Sequence, residues 1–140
     1  YALDVGTNDD LLVVRFHAKE RDKAGMSYRW SRDSSFVSVI GMRPDTLTLT
    51  IWMGDGGRPA AVGAATVTVT LDDRPLGSVT VDHDVRAYTF AIPPDEAAAA
   101  AGRDAPARLR LTTSTWSPRS LLGVADDRDL GVVVDRVEAR

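Results

Sequence analysis

Residues 46–52 read Thr-Leu-Thr-Leu-Thr-Ile-Trp and residues 66–71 read Thr-Val-Thr-Val-Thr-Leu. Successive side chains of a β-strand point to opposite faces, so strict apolar/polar alternation is the pattern of a strand with one buried and one wet face. The period puts Leu47, Leu49 and Ile51 on a core face, with Thr46, Thr48, Thr50 and Trp52 on the solvent face. In the second stretch Val67, Val69 and Leu71 go inward. A helix cannot bury such a pattern, so the chain is constrained to sheets that are each wet on one side, which favours antiparallel pairing.

Further strand signals lie at 10–17 (Leu12, Val14 and Phe16 inward), 27–32, 36–40, 76–81, 86–92 (Tyr88, Phe90 and Ile92 inward), 107–115 (Leu109 and Leu111) and 130–138. Turn residues separate them: Gly25, Asp33-Ser34, Gly41 to Pro44, Gly54 to Pro59, Asp72 to Pro75 and Pro93-Pro94. Asp72-Asp73 reads as a tight hairpin. Only 95–101, an Ala-rich run ending at Gly102, has helical character. The expected fold is an all-β antiparallel sandwich or jelly roll of about nine strands with one short helical connector, residues 1–140 forming a single domain.

The absence of Cys excludes disulfides, thiolate metal sites and a Cys nucleophile. Two histidines, His17 and His83, leave little for a Ser-His-Asp set or a multi-His metal site. No pair of carboxylates suited to glycoside hydrolysis can be named from spacing, and Gly54-Asp55-Gly56-Gly57 lacks the Lys and following helix of a phosphate-binding loop. The protein is therefore read as no enzyme. A formal net charge of −3 gives no footprint for nucleic acid. With no long apolar run, this segment is not expected to insert in a membrane. The missing initiator Met reads as a sign that the domain is excised from a longer chain.

Trp52 stands out because its parity turns a large indole to the Thr face, where the CH-rich face of a pyranose can stack while hydroxyls bond its rim. The alternative is a bulge that turns the ring inward. Trp116 shares the parity of Arg108, Arg110 and Thr112, and Pro118 soon after places it at a loop mouth; the alternative is a Trp capping the core. Trp52, Trp116 and Arg110 are thus the candidate ligand-binding residues. Trp30 is read as core, and Arg29, facing out between Tyr28 and Trp30, is expected to fork onto Glu20 as a clasp between strands. His17 is read as outward-facing. The Asp clusters at 9–10, 72–73, 82–84 and 126–129 lack the spacing of a continuous calcium loop, so a calcium site would be assembled from distant segments; surface turn acids are the other reading.

Four segments together carry a resemblance: Leu3-Asp4-Val5-Gly6 followed by Asp9 or Asp10, Phe16-His17-Ala18-Lys19-Glu20, Tyr28-Arg29-Trp30-Ser31, and Asp127-Arg128-Asp129-Leu130-Gly131-Val132. Their order and composition resemble an extracytoplasmic β-sandwich domain attached to polytopic bacterial glycosyltransferase-like membrane proteins, of the dolichyl-phosphate-mannose-dependent or aminoarabinose-transferase type. Its fold is similar to the galactose-binding-like jelly roll of many carbohydrate-binding modules. The resemblance implies a non-catalytic, carbohydrate-associated accessory module outside the cytoplasm, tethered through a parent membrane transferase. It brings over no catalytic residue and gives Asp127 and Asp129 a structural place beside Glu20, Arg29 and Trp30. Sandwiches of that kind often hold one structural calcium, which the resemblance leaves open here. The alternative is a structural or protein-interaction sandwich without sugar affinity.

Overall fold

The computed structural model describes residues 1–140. Ten strands run in the order β1 (Ala2–Asp4), β2 (Val13–Phe16), β3 (Glu20–Arg21), β4 (Ser27–Val39), β5 (Thr48–Gly54), β6 (Ala65–Leu71), β7 (Arg74–Val81), β8 (Arg86–Ala91), β9 (Ala107–Thr112) and β10 (Val133–Ala139). Every pairing is antiparallel. Sheet A is ordered β8-β5-β10-β1, and sheet B is β7-β6-β9-β4-β2. The first half of β4 also pairs with β10, Trp30 opposite Val133, so this strand passes from one sheet to the other and forms a corner of the sandwich.

The alternating segments do what their period dictates. Leu49, Ile51 and Met53 of β5 and Val67, Val69 and Leu71 of β6 are fully buried, and they join Val37, Val39, Leu109, Leu111, Val134 and Val137 in one core between the sheets. Asp72 and Asp73 both adopt positive φ, as a two-residue hairpin of this twist requires, and Asp tolerates it. Helix α1 (Pro94–Ala101) crosses from β8 to β9 and buries Ala97 and Ala100. A second short helix, α2 (Pro118–Leu122), is capped by the Ser117 hydroxyl and by Gly123 in the left-handed region.

Three expectations are corrected. The predicted strands 27–32 and 36–40 are one thirteen-residue strand, because Asp33-Ser34 is held extended: Asp33 bonds the Ser34 N–H and receives Arg15, instead of closing a turn. In β2 the inward set is shifted. Arg15 has a positive φ at a β-bulge, and Val14 is exposed while Phe16 and Val13 pack on the core. Leu47 lies before the start of β5 and is exposed.

Strand directions place the hairpin, α1 and the β4–β5 loop at one end of the sandwich. The loops after β1, β3, β5, β7 and β9, the two longest among them, gather at the other, the long-loop end.

Candidate functional site

Trp52 lies on the outward face of β5, opposite Ala87 of β8 and Arg136 of β10. Its ring is half-buried, with the Arg136 guanidinium over it at 5.4 Å from the centroid. Thr48 and Thr50 continue the same face. The hydroxyl of Thr50 bonds that of Thr89 at 3.1 Å, and Glu138 stands opposite Thr50. The Glu138 carboxylate is held by Arg136 on one oxygen and by Arg140 at 3.1 Å on the other. Together Thr48, Thr50, Trp52, Thr89, Glu138 and Arg140 line an open groove of about 420 Å³. The indole is therefore where parity put it, in a strip of hydroxyls and one carboxylate fixed by charge-assisted bonds.

Trp116 is not in this strip. Strand β9 ends at Thr112, so parity does not carry through to residue 116; the chain turns, and Trp116 forms an isolated bridge with Leu130. Its indole is buried against Trp30, Leu130 and Val133 in a small second core at the long-loop end, with its N–H unpartnered. The expected loop-mouth ligand residue is thus a core cap. Arg110 lies on the outward face of sheet B, across the whole sandwich from Trp52. No single sugar ring can meet Trp52, Trp116 and Arg110 together.

Trp30 is buried, as expected. Arg29 does fork, but onto Asp9 rather than Glu20: Nε and Nη2 donate to the two Asp9 oxygens at 2.7 and 2.9 Å, Nη2 reaches Asp10 at 2.7 Å, and Nη1 donates to the His17 carbonyl. The 5–12 segment folds over Arg29, so a residue of outward parity is buried. Burial alone would raise the Asp9 pKa. The bonds from Arg29 and the Gly6 N–H, with the Arg29 charge, outweigh it and hold the carboxylate below its ordinary value. Glu20 instead meets Arg128 at 3.0 Å, and Arg128 forks onto Asp126, whose pKa is held down to about 2 chiefly by that side-chain bond. His17 is buried, not outward; its Nε2 donates to the Asp129 carbonyl at 2.6 Å. Asp129 therefore acts through its main chain, and Asp127 is exposed 4.0 Å from Arg119.

Two glycines lock this corner. Gly6 has φ +85°, and a Cβ there would lie 2.8 Å from the Tyr28 main-chain nitrogen; a Cβ on Gly131 would collide with the Ser31 hydroxyl, which accepts from the Val132 N–H. The four motif segments thus converge on one stitched corner, saturated by its own contacts.

Acidic side chains elsewhere are spread out and mostly matched to arginine: Asp72 by Arg103, Asp82 by Arg86 and Asp95 by Arg74. No three acidic or His side chains come together in a way that could hold a metal ion. No Ser hydroxyl bonds either His; His17 is spent on a carbonyl and His83 meets Asp55 at 3.2 Å.

Sequence reasoning missed a cleft of about 360 Å³ at the long-loop end, where Tyr28 faces Asp22 and Met26 on one side and His83, Asp84 and Val85 on the other. Tyr28 shares the strand parity of the buried Trp30, yet it is only half-buried. Its pKa is raised by burial and then by Glu20 and Asp22. The register of β3 against β4, which sets Glu20 opposite Tyr28, is the signal that could have found it, and two-residue strands leave almost no trace in sequence.

No model of a known protein family matches the chain, and no curated protein matches its sequence. The β-sandwich is similar in fold to solved carbohydrate-binding modules. It is similar to a family 35 carbohydrate-binding module from an environmental isolate, at TM-score 0.58 and 13% identity over 100% of this chain and 92% of that one. It is also similar to a family 6 module, CsCBM6-3 from Clostridium stercorarium, solved with cellobiose (0.56, 12%, 99% and 92%). A family two carbohydrate esterase from Cellvibrio japonicus matches at 0.52 and 11%, but this chain spans only 32% of it. No helix of the protein is long and apolar enough to cross a membrane.

Proposed function

We propose that the protein is a non-catalytic carbohydrate-binding module that stacks a neutral sugar on the outward face of sheet A. The observation that carries this reading is Trp52: a partly open indole in a groove whose rim is threonine hydroxyls and a carboxylate fixed between two arginines. A pyranose placed on the ring would exchange hydrogen bonds with Thr50, Thr89 and Glu138. The similarity of fold to modules that include one solved with cellobiose supports the same class of ligand. The resemblance of the motif segments supports a place outside the cytoplasm beside a membrane transferase of lipid-linked sugars.

An array of neutral oligosaccharides followed by calorimetric titration tests the reading. Trp52→Ala is expected to weaken the best ligand at least tenfold, the order lost with one stacking ring, with little change in melting temperature. Equal binding by the variant and the parent protein would remove the platform. A protein-interaction role is the second reading, favoured by the exposed aliphatic run Leu121, Leu122 and Val124 at and after α2.

A further inference from the structure

Ten of the fifteen arginines meet a carboxylate, and Arg58 is consumed by main-chain carbonyls and Ser114. Two of the four that remain, Arg108 and Arg110, stand two residues apart on the outward face of β9. Both are held in place without being neutralised. Arg108 lies over the Phe36 ring at 4.0 Å from its centroid, and Arg110 Nε donates to the Thr112 hydroxyl at 3.3 Å. The terminal nitrogens of both are left without a protein acceptor. The nearby Asp72 is spent on Arg103 and on the Arg108 main-chain N–H. Ser38 stands opposite Arg108, and Ser34 opposite Thr112, so hydroxyls border the pair along β4.

A guanidinium is a planar fork matched to carboxylate and phosphate oxygens, and one already stacked or bonded loses less freedom on binding. We propose that this face of sheet B is a second binding surface, for a saccharide bearing an oxyanion, either carboxylate or phosphate, clamped by Arg108 and Arg110. The hydroxyl border suits sugar hydroxyls. Two cations on a chain of net charge −3 are too few to track a nucleic-acid backbone. The surface lies across the sandwich from Trp52 and does not depend on it.

Titration with tri-galacturonate, with glucose 6-phosphate and with neutral cellotriose, at 50 and 500 mM NaCl, tests the proposal. At least one charged probe is expected to bind at low salt and to weaken about tenfold at high salt, and whichever binds identifies the anion. Arg108→Gln and Arg110→Gln are each expected to weaken it at least fivefold, and amide shifts on binding should fall on β9 and β4. Because neither guanidinium is in an ion pair, and the Arg108 contact with Phe36 is an exposed cation–π pair, both variants are expected to melt within about 4 °C of the parent, which the same samples can verify. Failure of both charged probes to bind, full binding by both variants, or shifts confined to sheet A would overturn the proposal, as would association with phosphatidylglycerol vesicles in the absence of binding to either sugar. Cellotriose reports the Trp52 reading separately: a protein that takes the charged probe but not cellotriose keeps this surface and loses that one.

Discussion

The stitched corner and the Trp52 strip are both rich in charge, and they use it in opposite ways. At the corner, Arg29 places donors on Asp9, Asp10 and the His17 carbonyl, and Arg128 is shared between Glu20 and Asp126. Nothing is left over for a ligand. On sheet A the same residue types flank an open ring, and Thr48, Thr50 and Thr89 keep bonding capacity toward solvent. The resemblance in sequence lies almost wholly in the corner, so what it marks is the device that joins two sheets. The surface proposed to bind carries no such signature, since a Trp among threonines is an ordinary strand pattern.

The sharpest way to break this contrast is to empty the corner. Removing one partner of a buried ion pair leaves an uncompensated charge, typically at a cost of about 3–5 kcal/mol. Asp9→Ala is expected near the lower end, about 3 kcal/mol, because Asp10 still reaches Arg29. Denaturant unfolding measures it. The double variant Asp9→Leu with Arg29→Met should recover most of that loss, because a well-packed apolar pair removes both charges together. A small loss from Asp9→Ala alone would show that the corner is solvated and not a structural lock.

Acid should open the same corner more gradually. Asp9 and Asp126 both have folded pKa values below the ordinary carboxylate value, so their contribution is complete above about pH 4. It is lost as pH falls through the folded values, for Asp126 near 2. The melting temperature is expected to fall steadily from pH 5 to pH 2, and Asp126→Asn to flatten part of the slope. A slope unchanged in that variant would detach the Arg128 fork from stability.

How much of this was legible depends on the range of the interaction. Period-two alternation is local, and it placed Leu49, Ile51, Val67, Val69, Leu109, Leu111 and Trp52 correctly. The Asp72-Asp73 hairpin was readable because positive φ selects few residues. Parity failed wherever the backbone left the ladder: at the Arg15 bulge, past the end of β9 at Trp116, and before β5 at Leu47. The forked geometry of Arg29 was readable from its chemistry, but its partner was not, because Asp9 arrives on a loop that no local pattern positions. Arg108 and Arg110 became conspicuous only once the other arginines had been matched to their acids.

On the open face the matching test is Arg136, whose guanidinium covers the Trp52 ring while it also holds Glu138. A sugar stacking on that ring must displace it, giving up an exposed cation–π contact of roughly 0.5–1 kcal/mol. Arg136→Ala is therefore expected to tighten neutral-sugar binding, by no more than about fivefold. Weaker binding would mean that the guanidinium is part of the sugar site and not its cover.

The smallest effect expected distinguishes a buried, paired acid from a half-buried, unpaired one. Asp135 sits on β10 beside Asp4, and its pKa is raised, first by burial, then by the charges of Asp4 and Asp22, with Arg136 opposing. It is the reverse of Asp9: the charge costs the folded state something at every pH above the folded value, and nothing below about pH 4, where the carboxyl is protonated folded or unfolded. Asp135→Asn removes that cost while preserving shape, so the melting temperature should rise by about 1–3 °C at pH 7. The gain should vanish at pH 3. A loss of stability at pH 7 would show that the Asp135 carboxylate, like that of Asp9, is held by a favourable partner.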